Sequence, residues 1–115
     1  MKLNTDLLQT LKDIPGEKAP SLLTEVLETY LTLSVQTLNE LKIAIANNDL
    51  NSTRSHAHKM RGGSLNIGAD TLGSHFATLE ALAKSGNLTG ANELFLQIEK
   101  DFDLTKEELL KNWIK

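Results

Sequence analysis

The chain has no cysteine, few aromatic residues and no long apolar run. Its 115 residues include one tryptophan, one tyrosine and three phenylalanines. The absence of cysteine excludes a disulfide framework and thiolate metal sites, and it fits a reducing compartment. No apolar run approaches the roughly 20 residues of a membrane-spanning helix, and the N-terminus has no hydrophobic signal segment. We therefore expect a cytoplasmic protein that does not associate with a membrane.

The chain also lacks a large excess of charge of either sign. Lysine and arginine number 12 against 15 acidic residues, which leaves a formal net charge of -3. A mildly acidic chain has no global field that would attract nucleic acid or an anionic membrane, so we expect no nucleic-acid partner. The length suits one domain and is too short for two, and we expect residues 1–115 to form a single helical bundle domain.

No segment shows the two-residue alternation of a strand, whereas apolar residues recur with helical spacing throughout. The spacing predicts a short first helix over about 4–14, which would cover the bundle as a lid and which Pro15 and Gly16 would end. Four longer helices follow over about 20–115. Short connections make consecutive helices neighbours. The predicted fold is therefore all-α, an antiparallel up-down-up-down four-helix bundle with a short additional N-terminal helix.

Capping residues and glycines predict where the bundle helices begin and end. Pro20 suits the first turn of the second helix, Asp49 is a natural N-cap for the third, and Gly68 should end the third. The remaining predicted boundary residues are Asn47 and Asn48 after the second helix, Asp70 in the first turn of the fourth, Ser85 and Gly86 at its end, and Asn87 as the cap of the last.

An apolar stripe is predicted on each bundle helix. The spacing of 3.6 residues per turn places these side chains against a common core. The predicted core positions are Leu23, Val26, Leu27, Tyr30, Leu33, Thr37, Leu38, Leu41, Ala44 and Ile45 on the second helix, Leu50, Thr53, Ala57, Met60, Ser64 and Ile67 on the third, Leu72, Phe76, Leu79, Leu82 and Ala83 on the fourth, and Leu88, Ala91, Leu94, Phe95, Ile98, Phe102, Leu109, Leu110 and Trp113 on the last.

His58 lies outside the apolar stripe of the third helix. It is about 130° around the helix from the centre of that stripe, in a row with Arg54, Arg61, Gly62 and Leu65. Arg54 comes one turn before His58 and Arg61 one turn after it, so two cations flank an imidazole on one face of the helix.

Two successive glycines inside this helix, Gly62 and Gly63, require an explanation, since a helical glycine costs roughly 0.5–1 kcal/mol relative to alanine. Our interpretation of Gly62 is access, because a missing Cβ one turn from His58 lets another macromolecule approach the ring. Positive charge, an imidazole nucleophile and a clear approach suit the acceptance of a phosphoryl group on nitrogen.

Residues 57–69 read AHKMRGGSLNIGA. This run resembles the signature of histidine-containing phosphotransfer (HPt) domains, in which His-x-Leu-Lys-Gly-Ser-Ser/Ala is followed by an apolar residue, Gly and Ala. The resemblance implies that His58 accepts the phosphoryl group and that Gly62 is the small residue that opens the site. The helical layout from Pro20 onward resembles the family as well. The departures from the pattern are Met60 for leucine, Arg61 for lysine and Gly63 for serine, as in chemotaxis-type kinases.

The resemblance also implies what the chain does. His58 would accept a phosphoryl group from a phospho-aspartate of a receiver domain and pass it to another receiver aspartate. The implied partners are response-regulator receiver domains, a hybrid histidine kinase, or both. A receiver would supply the divalent metal ion, so we expect no cofactor or metal in this chain. The chain would be a phospho-carrier in a two-component phosphorelay rather than an enzyme.

Four further side chains are candidates for phosphoryl stabilisation or docking. Arg61 and Lys59 are expected to hold the phosphoryl oxygens, and Arg54 and Leu65 to contact a docked partner. Solvated helix cations are the alternative for all three basic residues; we favour function for Arg61, keep both interpretations of Lys59, and favour a solvated cation for Arg54. For Leu65 the alternative is a side chain covered by the first helix.

A neutral imidazole needs a partner that fixes which nitrogen carries the proton. HPt domains often have a glutamine near this place, and the resemblance implies that Glu80, on the flank of the fourth helix, accepts from Nδ1–H of His58 and leaves Nε2 as the nucleophile; an exposed helix glutamate is the alternative. His56 and His75 are interpreted as boundary histidines, although the helix of His75 could belong to a partner surface. No Glu-x-x-His pair is present, so no metal site is predicted.

Three rival interpretations stay open. The dimerisation helices of a sensor kinase also present a histidine, but they need an ATP-binding domain and usually an acidic residue after that histidine, where this chain has Lys59. A non-catalytic helical adaptor would bind partners regardless of His58. A pseudo-phosphotransfer domain would lack the histidine. We expect a monomer, because one lateral face of a bundle can carry the whole docking site.

Overall fold

The computed structural model describes residues 3–13 and 19–114. Within those ranges the chain is all-α and contains no strand, which confirms the predicted fold class. No helix in these two ranges is long and apolar enough to cross a membrane. Pro15 and Gly16, predicted to end the first helix, lie outside the described residues. The helices are α1 (Asp6–Lys12), α2 (Ala19–Ala46), α3 (Leu50–Asn66), α4 (Asp70–Ser85) and α5 (Ala91–Asn112).

The α3–α4 pair makes the most extensive helix contact, and it carries the site described below. α2 packs against α3, α5 packs against α4 and α2, and α1 packs against α2. Buried apolar side chains from every helix form one core. Its largest fully buried members are Phe76, Leu8, Leu27, Leu41, Leu72, Leu79, Ile98 and Leu109.

Local sequence signals explain where α3 and α4 begin and end. The Asp49 carboxylate caps α3 by accepting a hydrogen bond of 3.1 Å from the backbone N–H of Ser52, as predicted. Gly68, with φ +82°, follows α3, and Gly86, with φ +79°, ends α4. Both glycines adopt the left-handed conformation that a side chain disfavours, which is the usual way for a helix to stop.

The predicted start of the last helix was wrong by about one turn. α5 begins at Ala91 with Gly90 as its N-cap. Asn87 instead accepts hydrogen bonds on Oδ1 from the backbone N–H and the hydroxyl of Thr89, at 2.9 and 2.6 Å. An asparagine side chain that bonds the residue two positions on makes a turn, so Asn87 shapes the α4–α5 connection rather than capping a helix.

Most predicted core positions are buried, but Val26, Leu33 and Leu110 are about half-exposed. On α2 the prediction merged two rows. The core row is Leu23, Leu27, Leu31, Ser34, Leu38 and Leu41, all buried. The second row, Val26, Tyr30, Leu33 and Thr37, faces the flank of α3, and its spacing is as helical as that of the core row. Leu110 lies on the outer side of α5.

The N-terminal segment closes over the α3–α4 turn. The backbone N–H of Asn4 donates to the carbonyl of Gly68 at 2.7 Å, and Leu3 and Leu8 are buried in the core. A Cβ on Gly68 would overlap the carbonyl oxygen of Asn4. Gly68 is therefore needed for its conformation and also for this close approach.

Candidate functional site

α3 presents His58 to solvent because its neighbours on the core side fix the orientation of the helix. Ala57 and Met60 are buried in the core, and the two positions between them, His58 and Lys59, point outward. The His58 side chain is 63% exposed. One turn further on, a Cβ on Gly62 would meet no heavy atom of the described residues within 4 Å, apart from its chain neighbours and the backbone of its own helix. Internal packing therefore does not require glycine at Gly62, which agrees with the interpretation that it opens the approach to the ring.

The antiparallel register of α3 and α4 brings Glu80 against His58. A Cβ built on Gly73 lies 2.7 Å from Cδ2 of Leu65, so these two positions face each other, and the same register places residue 80 opposite residue 58. Glu80 Oε2 lies 3.0 Å from Nδ1 of His58. The Glu80 side chain is only 6% exposed, so the alternative of an exposed helix glutamate is wrong.

The contact with Glu80 fixes the tautomer of the imidazole. An ionised carboxylate only accepts hydrogen bonds, so Nδ1 of His58 must carry the proton and donate it to Glu80. In a neutral ring Nε2 then holds the free lone pair. Because the ring is largely exposed, this lone pair is available to a group on another molecule.

Burial would raise the pKa of the Glu80 carboxyl, but its neighbours outweigh that effect. The hydrogen bond from His58 has the largest opposing effect, and together with the positive charges of Arg61 and Lys84 it lowers the pKa below its ordinary value. Glu80 is therefore charged at neutral pH, as the tautomer requires.

Arg61 lies beside both members of this pair. Its Nη2 is 3.1 Å from Nδ1 of His58, and its Nε is 3.5 Å from Oε1 of Glu80. Since Nδ1 already donates its proton to Glu80, it cannot accept one from Arg61. Arg61 is thus a cation beside the ring, held mainly by its charge.

Lys84 was missed by the sequence analysis. Its Nζ lies 3.6 Å from Oε2 of Glu80, one helical turn further along α4. The i, i+4 spacing of an acid and a lysine was the available signal. This signal decided nothing at the sequence level, because Glu80 could be either a partner of His58 or an exposed helix glutamate.

The other predicted site residues lie around His58 without joining the Glu80 contact. Lys59 and Arg54 are exposed on α3. Leu65 is half-exposed, and its side chain packs where a larger residue at Gly73 would collide. Gly73 therefore permits the close approach of α3 and α4.

An apolar groove of about 260 Å³ runs between α2 and α3 on one side of His58. Tyr30 forms its floor, with its hydroxyl 3.0 Å from Oγ of Ser64, and burial raises the pKa of this tyrosine. A Cβ on Gly63 would lie 3.7 Å from the Tyr30 ring, an ordinary contact. The prediction had assigned one groove residue, Lys59, to the phosphoryl group, and the following groove residues to the core: Val26, Tyr30, Leu33, Thr37, Met60 and Ile67.

The other two histidines contact carboxylates through Nε2 rather than through Nδ1. Nε2 of His56 lies 3.1 Å from Oε2 of Glu40, and Nε2 of His75 lies 2.8 Å from Oδ2 of Asp101. Their side chains are about a quarter exposed, as predicted for boundary residues. His58 differs from both, because its side chain is 63% exposed and its Nε2 has no hydrogen-bond partner among the described residues. In the described part of the chain, no three His, Cys, Asp or Glu side chains converge as metal ligands.

A helical bundle with an exposed histidine, held through Nδ1 and flanked by a cation and a glycine, defines the phosphotransfer class of helical domains. The Hpt domain family matches residues 25–108, most of the chain, so the chain belongs to that family. The crystal structure of histidine-containing phosphotransfer protein B (HptB) from Pseudomonas aeruginosa PAO1 is similar over 95% of this chain and 91% of that chain, with a TM-score of 0.84 and 28% sequence identity. A comparison with curated proteins gave no match.

We predict that Glu80→Leu reverses the tautomer of neutral His58. Without the carboxylate, Nδ1 becomes free to accept from Arg61, which lies 3.1 Å away, and the proton should move to Nε2. Nitrogen-15 NMR of the ring distinguishes the two forms. Glu40→Leu, which removes the partner of His56 instead, is the matched control and should leave His58 unchanged. A His58 ring that stays protonated on Nδ1 in Glu80→Leu would contradict the assignment.

Proposed function

We propose that this chain is a phosphorelay intermediate. His58 accepts a phosphoryl group from a phospho-aspartate of a receiver domain and passes it to the aspartate of another receiver. The observation that carries the proposal is the exposed Nε2 lone pair of His58, left free by the bond from Nδ1–H to buried Glu80. Membership of the Hpt domain family supports the same role.

The chemistry needs only one nucleophilic atom from this chain. Nε2 attacks phosphorus, a P–N bond forms, and the P–O bond to the donor aspartate breaks with its electron pair, leaving a carboxylate on the receiver. The ring, now bonded at both nitrogens, becomes an imidazolium, and the Glu80 carboxylate stabilises its charge through Nδ1–H. No proton has to move during the transfer, and the reverse reaction returns the phosphoryl group to a receiver.

Charged and small residues around His58 have supporting roles in this proposal. Arg61 turns its guanidinium to the phosphoryl oxygens, and Lys59 adds a second cation from the same helix. Gly62 leaves space for the receiver to bring its aspartate to Nε2. The receiver supplies the divalent metal ion, so the chain acts as a phospho-carrier without a cofactor of its own.

The receiver docks on the face that surrounds His58. Half-exposed Val26 and Leu33 rim the groove between α2 and α3, and half-exposed Leu65 lies on the α4 side. Apolar anchors on both sides of a reactive group fit a partner that must bury the reaction. Arg54 extends this surface with a positive charge. One face of a monomer therefore carries the whole site, and we place the protein in the cytoplasm with its receivers.

The direct test is incubation with a phosphorylated receiver domain, followed by intact mass. We expect a gain of one phosphoryl group that is labile in acid, as a P–N bond is, and that is absent from His58→Gln. His56→Gln, which changes a histidine two residues away on the same helix, should be phosphorylated normally.

Transfer that persists in His58→Gln would contradict the assignment of the acceptor. No transfer to the wild-type chain from any of several receivers would contradict the relay role itself and favour a non-catalytic helical adaptor.

Substituting Gly62 and Gly63 one at a time distinguishes an effect on access to His58 from an effect on the stability of α3. Gly62→Ala should raise the free energy of unfolding by about 0.5–1 kcal/mol through helix propensity, because the added methyl group collides with no side chain among the described residues. It should nevertheless slow transfer from the receiver about tenfold or more, since the methyl group faces the incoming aspartate.

Gly63→Ala is the matched control. Its methyl group would lie 3.7 Å from the Tyr30 ring, on the α2 side of α3, so stability should change little or rise and transfer should stay near the wild-type rate. The measurements are urea unfolding and rapid-quench transfer kinetics. Equal transfer rates for the two variants would contradict the role given to Gly62.

A further inference from the structure

Three side chains balance the negative charge of the buried Glu80 carboxylate, and they lie at different distances from it. Oε2 lies 3.0 Å from Nδ1 of His58 and 3.6 Å from Nζ of Lys84, and Oε1 lies 3.5 Å from Nε of Arg61. Because only 6% of the Glu80 side chain is exposed, water is a poor substitute for any of these partners. If one of them leaves, another has to move closer.

Arg61 makes no short hydrogen bond to Glu80. Its distance of 3.5 Å to Oε1 is longer than a charge-assisted hydrogen bond, and among the described residues Oε1 of Glu80 has no hydrogen-bond partner. The 3.1 Å contact with Nδ1 of His58 is not a hydrogen bond either, because that nitrogen donates to Glu80. Arg61 therefore loses no well-formed hydrogen bond to either group when it turns away.

Lys84 lies on the opposite side of His58 from Arg61. The register that places residue 80 opposite residue 58 places residue 84 opposite residue 54, about two turns from Arg61 and Gly62. Its side chain is 61% exposed, so a small movement toward Glu80 meets little resistance. Lys84 can follow the carboxylate without entering the space that a phosphoryl group would occupy.

We propose that phosphorylation of His58 transfers the pairing of Glu80 from Arg61 to Lys84. A phosphoryl group carries about two negative charges and three acceptor oxygens, so it attracts the guanidinium more strongly than a single carboxylate does. Lys84 then closes on Glu80 and keeps it ionised and hydrogen-bonded to Nδ1–H. Lys84 is thus a positioning residue that acts through Glu80. This inference rests on the proposed function, since it concerns the phosphorylated state of the same site.

An ordinary surface ion pair between Lys84 and Glu80 makes a different prediction. An i, i+4 pair that serves only to stabilise α4 would contribute equally whether or not His58 carries a phosphoryl group. The proposed transfer of pairing requires the Lys84–Glu80 pair to contribute more to the free energy of unfolding in the phosphorylated form. The comparison of the two forms therefore separates positioning from simple helix stabilisation.

The test is urea unfolding of the full chain in both forms. Phosphoramidate, whose own P–N bond breaks to release ammonia, phosphorylates the histidine without any receiver, and intact mass confirms a single phosphoryl group that His58→Gln lacks. We expect Lys84→Met to raise the unfolding equilibrium constant about threefold more in the phosphorylated form than in the free form. In a Glu80→Gln background this excess should disappear. Lys100→Met, at an exposed lysine of α5, is the control and should show no excess.

An equal effect of Lys84→Met in both forms, or an excess that survives Glu80→Gln, would overturn the proposal that Glu80 changes its partner from Arg61 to Lys84. Failure of the relay role gives a different pattern, because receivers would then not phosphorylate the wild-type chain even though phosphoramidate does. The nitrogen-15 signal of Arg61 Nε offers a second measurement. It should shift on phosphorylation in the wild type and shift less in Lys84→Met, where Arg61 remains with Glu80.

Discussion

The hydrogen bond between Nδ1 of His58 and Glu80 joins α3 to α4, and the chemistry of the site depends on it. The 3.0 Å contact exists only because the two helices run antiparallel in one register and approach closely, which Gly73 permits beside Leu65. A buried carboxylate is unfavourable unless it is paired. His58, Arg61 and Lys84 provide that pairing, so the interaction that orients the nucleophile also makes the acid tolerable in the structure.

The rest of the bundle supports this pair and leaves the other side of the ring open. Buried Ala57 and Met60 turn His58 outward, and the glycine at Gly62 keeps the approach clear. The N-terminal segment closes on the α3–α4 turn at Gly68, away from the ring. The fold therefore keeps its reactive nitrogen fixed in direction and accessible to a partner, which is what a carrier that meets successive receivers requires.

Features of α3 could be predicted because their signals are local. The cap at Asp49, the stop at Gly68 and the outward direction of His58 follow from residues within a turn or two of each other. The burial of Glu80 could not be predicted with the same force, since it depends on the register between two helices. Resemblance to a family supplied the candidate, and only the packed structure decides between a buried partner and an exposed glutamate.

The wrong predictions, at Val26 and Leu33 on α2 and at Asn87, occur where a local sequence pattern fits two structures equally well. On α2 two rows of apolar residues follow the same helical period, and periodicity does not tell which row faces the core, so Val26 and Leu33 were misplaced. Asn87 suits both a helix cap and a turn; in the structure its side chain forms the turn, and α5 begins later, at Ala91.

The central claim is that Glu80 directs chemistry to one nitrogen of one histidine. NMR of the phosphorylated chain, with nitrogen-15 in the imidazole rings and phosphorus-31 coupling to identify the bonded nitrogen, tests it most directly. The account predicts a single phosphoryl group on Nε2 of His58, with Nδ1 still protonated. A phosphoryl group on Nδ1 of His58, or on His56 or His75, would contradict it.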